Sequence, residues 1–188
     1  MLGVRRPEVI LILFGVFVPT FCCDWLRRYT DLSDRCLSLL WDLGGPITEE
    51  EFPLPFPRQL YKRVEKSQVR PALTFVRNNL GHILDLYQQV NTSRVGWDAD
   101  TLEEMLIVMH RQEEELSLCV CILSFRMRLI LTPNDCVIEK QNDLGDACNI
   151  PPVMFCRPSW DGDSNMWELI RSETKMHLQQ MHLLVAAM

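Results

Sequence analysis

The sequence predicts an all-α fold of long amphipathic helices, and three observations lead there. Apolar residues recur at three- and four-residue steps in four separate stretches, a spacing that gathers them on one side of a helix. Helix start and stop signals stand at the ends of those stretches: Asn165 with Glu168, Thr101 with Glu104, and Gly44-Gly45 followed by Pro46. A long connection with four prolines, Pro46–Lys66, separates the first stretch from the second and can run the length of a helical bundle. At 188 residues the chain makes one domain with room for a substantial core.

The first helix is expected over about Asp24–Leu43. Leu26, Tyr29, Leu32, Cys36, Leu39 or Leu40, and Leu43 form its stripe. Cys36 falls on that stripe, where a free cysteine behaves as a small hydrophobe. Gly44-Gly45 suits a left-handed cap, and Pro46 forbids continuation. In the connection that follows, Glu49–Glu51 reads as a solvated face.

The second helix is expected over about Ser67–Val90, with Pro71 tolerated in its first turn. Leu73, Val76, Leu80, Ile83, Leu84 and Tyr87 line its inner side. Gly81 weakens it by about 1 kcal/mol relative to alanine. Asn91-Thr92-Ser93, in the turn that follows, is an N-glycosylation sequon. The third helix is expected from Asp98 or Thr101 to Val120, with Leu102, Met105, Leu106, Met109, Leu116 and Cys119 inside and the glutamates outside.

Residues 121–163 show no such pattern. CILSFRMRLILT is apolar without helical period, and the segment after Pro133 mixes turn residues with Cys136, Cys148 and Cys156. Three readings stay open: a divergent loop stapled by those cysteines, a splice form, or a reading frame running through non-coding sequence. The last helix, over about Asn165–Met188, carries Trp167, Ile170, Thr174, Leu178, Met181, Leu184 and Val185 on its stripe. Arg171, Ser172, Lys175 and Gln179 are expected on the opposite, free face.

Composition excludes several functions. The formal net charge of −6 and the lack of a basic block argue against nucleic acid as partner. Residues 1–22 read as a secretory signal: Arg5 and Arg6 precede the apolar run Val9–Val18, which is too short to span a bilayer. Residues 23–188 would form the mature, extracellular domain, with no membrane insertion. In that compartment cysteines form disulfides. Of the eight cysteines, Cys22 would leave with the signal, so at least one thiol stays free or pairs between chains. No nucleophile–base motif, phosphate loop or metal spacing occurs, so no enzyme, catalytic residue, metal or cofactor is expected. His82, His110, His177 and His182 read as plain helix residues.

Particular residues say more than periodicity does. WELIRSETKMHLQQMHLL resembles the C-terminal helix of type I interferons, the fish (teleost) members above all, whose pattern is Trp-Glu-apolar-apolar-Arg-x-Glu. CDWLRRYTDLSDRCLSLLWDLGG, beginning at Cys23, resembles the first helix of a mature fish interferon, and PFPRQLYKR and MHRQEEELSLCV also fit. The likeness covers residues 23–119 and 165–185. Leu54-Pro55-Phe56-Pro57 resembles the family's Phe-Pro element, which implies that Phe52 and Phe56 anchor the first connection to the bundle. It implies a long-chain helical cytokine bundle, up-up-down-down, although residues 121–163 lack the polar fourth helix that the family carries there. It implies a bridge from Cys23 to Cys119, closing a loop of about 97 residues and worth about 4–5 kcal/mol on the chain-entropy model. Asn165 stands where mammalian-type members have a further cysteine, so their second bridge does not form in the same way.

The functional implication is a secreted cytokine that bridges two class II cytokine receptor chains, triggers their kinases and induces antiviral genes. One receptor chain would meet the first long loop and the last helix, where Arg171, Ser172 and Lys175 occupy the matching contact positions. Arg171 is the strongest candidate, since its planar fork suits a partner carboxylate. Lys175 stands where several members carry an apolar residue. The second receptor chain would meet the second, third and fourth helices. Two rivals are another secreted four-helix cytokine, against which the WELIR motif and the paired Cys23 and Cys119 argue, and a nonproductive or decoy isoform, which a receptor assay separates.

Overall fold

The computed structural model describes residues 26–47, 55–127 and 164–188. These residues are helical with short connections: α1 Leu26–Asp42, α2 Arg58–Glu65, α3 Val69–Tyr87, α4 Thr92–Val95, α5 Ala99–Met127 and α6 Ser164–Ala186. The expected signal at residues 1–22 and the bulk of the atypical segment lie outside the described residues.

The four long helices bury the stripes that their periodicity marks. On α1, Tyr29, Cys36 and Leu40 are buried, and Leu40 rather than Leu39 is the inner member of that pair. On α3 all six expected inner residues are buried, joined by Phe75 and Asn79. Asn79 is accommodated because its amide donates to the Phe75 carbonyl one turn back, at 2.9 Å. On α6 the expected stripe from Trp167 to Val185 is buried throughout. The helix α3 packs mainly on α5, while α1 lies against both α5 and α6.

Three expectations change. The connection after α1 is not irregular throughout, because Arg58–Glu65 forms a helix that buries Leu60, Tyr61 and Val64. Those three stand at helical spacing, and Pro57 sits at the N-cap position, where its missing N–H costs nothing. The third helix runs on through residues 121–127, which were expected to be non-helical. Its cap is Asp98, whose Oδ1 accepts from the Thr101 N–H at 2.8 Å. Those hydrogen bonds hold the Asp98 carboxyl below the usual carboxylate range. Glu104, expected to complete a box with Thr101, instead pairs with Arg35 of α1.

The glycines after α1 also serve a different purpose. Gly96 alone among the described glycines takes a positive φ, so Gly44 and Gly45 are not a left-handed cap. A Cβ on Gly44 would stand 2.9 Å from Arg171 Nη1 and 2.9 Å from two atoms of the Trp97 indole. Gly44 is thus small because two large side chains fill its space. The Asp98 N–H donates to the Leu43 carbonyl at 3.2 Å, bringing the start of α5 to the same place. One end of the bundle is therefore a junction of the α1 exit, the α5 entry and the first turns of α6.

Candidate functional site

The seam between α1 and α6 is held by three contacts in antiparallel register. Arg171 meets Gly45, Lys175 meets Trp41, and His182 meets Asp34. The α6 number rises as the α1 number falls, so the two helices run in opposite directions along the whole contact.

At the first contact the structure corrects the sequence reading. Arg171 was expected on the free face as the leading receptor contact, but its side chain is 0% exposed. Arg171 follows Trp167 by four residues, about 40° around the axis, inside the arc that also holds Thr174 and Leu178. Its guanidinium donates to the Gly45 carbonyl and pairs with Glu168 Oε2 at 2.7 Å. Glu168 in turn accepts from the Trp97 indole N–H at 2.8 Å through Oε1. The carboxylate thus bridges an arginine of its own helix and the tryptophan that precedes α5. Buried charge is tolerable only when paired in this way. A side chain with no exposed surface does not touch a partner, so Arg171 positions the junction rather than presenting itself.

Tyr87, Trp97 and Trp167 surround this junction. Tyr87 and Trp97 stack with centroids 5.9 Å apart, and Trp167 meets Trp97 edge-on at 5.8 Å. Such ring geometry adds to simple area burial. Trp97 was missed in the sequence, because it lies in a short connection and off every helical stripe.

The outer face of α6 carries the other expected contacts. Ser172 is half-buried. Lys175 is half-buried too, and its Nζ lies 4.3 Å over the Trp41 ring. Gln179 is exposed, and Leu183 is 59% exposed. The C-terminal half of this face borders an open groove of about 500 Å³, walled on its other side by α2. Phe56 and Met176 contribute apolar surface there, while Arg58 and Lys62 contribute positive charge and Glu65 negative charge.

Beneath the groove lies a buried polar group that sequence reasoning also missed. The Tyr61 hydroxyl and His177 Nδ1 share a hydrogen bond of 2.6 Å, and His177 Nε2 is 3.6 Å from Glu173 Oε1. Phe56 packs on both rings, 5.4 Å from Tyr61 and 4.8 Å from His177, and so anchors the connection as expected. Burial pushes His177 down to about 4 and Glu173 up to about 7, so each is held toward its neutral form. His177 is thus a structural residue that ties α2 to α6.

The remaining site residues lie elsewhere. Asn91 is exposed, and its Oδ1 accepts from the Arg94 N–H at the start of α4. Cys119 and Cys121 are each disulfide-bonded. Two residues apart on a helix, they point about 200° apart and belong to two different bridges. Cys23, the expected partner of Cys119, lies outside the described residues. Cys36 is a free, buried thiol, and burial raises it to about 12. Among the described residues, no group of three potential metal ligands occurs, and no helix is long and apolar enough to cross a membrane.

No family model matches the sequence. The chain is 31% identical over 185 residues to interferon a3 of Oncorhynchus mykiss, a match covering 96% of this chain and 94% of the trout protein. A match of that extent also runs across the segment between α5 and α6. Among solved structures it resembles zebrafish interferon 1, with a TM-score of 0.68 and 27% identity, covering 88% of this chain and 99% of the zebrafish chain. The helical architecture, the start of α6 and a relative of this similarity over nearly both full lengths agree, and the chain belongs to the type I interferons of fish.

Proposed function

We propose that the chain acts as a secreted cytokine that bridges two class II cytokine receptor chains and so brings their associated kinases together to induce antiviral genes. The observation that carries this reading is the outer face of α6, whose C-terminal half borders a groove walled by α2 at Gln179, with the half-buried Ser172 and Lys175 on the preceding turns of the same helix. That groove joins the two regions that one receptor chain is expected to use, the first long connection and the last helix. Its apolar floor, rimmed by Arg58, Lys62 and Glu65, fits an apolar side chain flanked by charged groups.

In this reading Ser172 and Lys175 touch the receptor, and Arg171 holds the junction that fixes their helix. The second receptor chain meets α3, α5 and the segment that follows α5. Residues 1–22 direct export and are removed ahead of Cys23, Cys23 bridges to Cys119, and Asn91 carries a glycan. The test is a reporter for antiviral genes in fish cells exposed to the purified mature protein. Induction that disappears when either receptor chain is deleted supports the reading. Binding without induction would mark the chain as a decoy.

A further inference from the structure

The sequence holds no basic block, yet α2 gathers cations on one side once it winds. Arg58, Lys62 and Lys66 follow one another at four-residue steps, about 40° apart around the axis, and Arg63 stands about 60° beyond Lys66. All four are exposed, and their arc lies opposite Leu60, Tyr61 and Val64, which α2 buries. Across the short connection 66–68, the half-buried Arg70 adds a fifth cation from the first turn of α3. The one carboxylate over residues 58–70 is Glu65. No ion pair among the described residues takes up any of the five, whereas Arg35 and Arg171 are answered by Glu104 and Glu168. The start of α3 is itself positive by its dipole, and it has neither an acidic residue in its first turn nor a side-chain cap. Folding gains nothing from collecting like charges there in a chain of formal charge −6, so the arrangement suits an anion from outside.

We infer that the outer face of α2, with Arg70 of α3, binds a sulfated polysaccharide of the cell surface, a linear polyanion that holds the exported chain close to cells. The inference rests on the export proposed above and not on receptor bridging. Arg58, Lys62 and Lys66 present a cation about every 6 Å along the helix, a row that suits a polymer with charged groups on successive sugars. Gln59, exposed among them, offers an amide to sugar hydroxyls. Such binding is driven by release of the polymer's counterions, so a local row suffices although the whole chain is acidic. The arc on α2 carries no aromatic ring on which bases could stack and no apolar side chain to enter a bilayer. Val69, exposed beside Arg70, is a single apolar residue and too little for that. Arg58 and Lys62 also border the groove between α2 and α6, whereas Arg63 and Lys66 do not line it, so those two separate this surface from the receptor reading.

The experiment titrates the full mature protein with heparin, desulfated heparin, duplex DNA and phosphatidylserine vesicles at low and high salt, with a melting curve for each variant. The parent is expected to bind heparin best and to lose affinity steeply as salt rises. The double variant Arg63→Ala/Lys66→Ala is expected to bind heparin at least tenfold more weakly with an unchanged melting midpoint, since both residues are exposed. Arg28→Ala/Arg111→Ala removes the same charge from exposed positions on α1 and α5 and is expected to stay within twofold of the parent. On cells, enzymatic removal of heparan sulfate should lower capture of the parent to the level of the Arg63/Lys66 variant, while both induce the antiviral reporter equally on the stripped cells. Heparin binding of that variant within twofold of the parent, an equal loss in the Arg28/Arg111 control, or parent binding as tight to desulfated heparin, DNA or vesicles would overturn the inference. A parent that binds heparin but leaves the reporter silent would instead overturn the receptor reading alone.

Discussion

Arg171 of the last helix, its side chain buried, donates to the backbone carbonyl of Gly45 at the exit of the first, a contact between residues 126 apart in sequence. It makes an arginine with the look of a surface contact into the tie that sets the α1–α6 register. Arg171→Ala would leave Glu168 without its cation and open a void beside Trp97. We expect a loss of about 2–4 kcal/mol, read in a denaturant titration. Arg171→Lys should recover less than half of it, since an ammonium lacks the fork that reaches Gly45 and Glu168 together. An unchanged midpoint for Arg171→Ala would return the residue to the surface.

The glycines give a contrast that depends only on space. Gly44→Ala places a methyl 2.9 Å from the rigid Trp97 ring and should destabilise by about 1–3 kcal/mol. Gly45→Ala and Gly81→Ala meet nothing within 4 Å. Gly81 is mid-helix, so alanine there should stabilise by about 0.5–1 kcal/mol. Equal melting midpoints for Gly44→Ala and Gly45→Ala would contradict the packing described.

His177 and Glu173 give opposite dependences on pH. Burial holds His177 at about 4, below its ordinary 6.5, so its contribution is full above 6.5 and lost as pH falls through 4. Burial raises Glu173 to about 7 from 4.5, so its contribution is full below 4.5 and lost as pH rises through 7. Between 4.5 and 6.5 the two slopes offset each other. Relative to the parent, Glu173→Gln should lose stability as pH falls through that window, and His177→Gln should gain it. Parallel melting profiles for all three proteins would refute the assignment.

Two bridges leave α5 on opposite sides, from Cys119 and from Cys121. A non-reducing peptide map should join Cys23 to Cys119, and Cys119→Ser should cost about 2–5 kcal/mol. A map that joins Cys119 to Cys136, Cys148 or Cys156 would break the pairing.

Much of this was legible in the sequence, for a physical reason. Burial follows helical period, so Leu73 to Tyr87 and Trp167 to Val185 announce their inner faces directly. Arg171 was misread because charge outweighed position, although its angle beside Trp167 places it within the buried arc. The helix α2 went unread because four prolines dominate its surroundings, yet Leu60, Tyr61 and Val64 carry a short apolar face. Residues 121–127 show no stripe because helical order there continues from α5 without an amphipathic signal of its own. Partnerships across the fold, Trp97 with Glu168 and Tyr61 with His177, have no local pattern that a single sequence could display.

The central claim is that the chain joins two different receptor chains through separate faces. The measurement that tests it most directly is the solution mass of the purified mature protein mixed with both class II receptor ectodomains. The account predicts a complex with one copy of each, which Lys175→Glu reduces to a pair lacking the receptor chain that meets α6. A mixture that yields no complex containing both receptor chains, at concentrations where each binds alone, would contradict it.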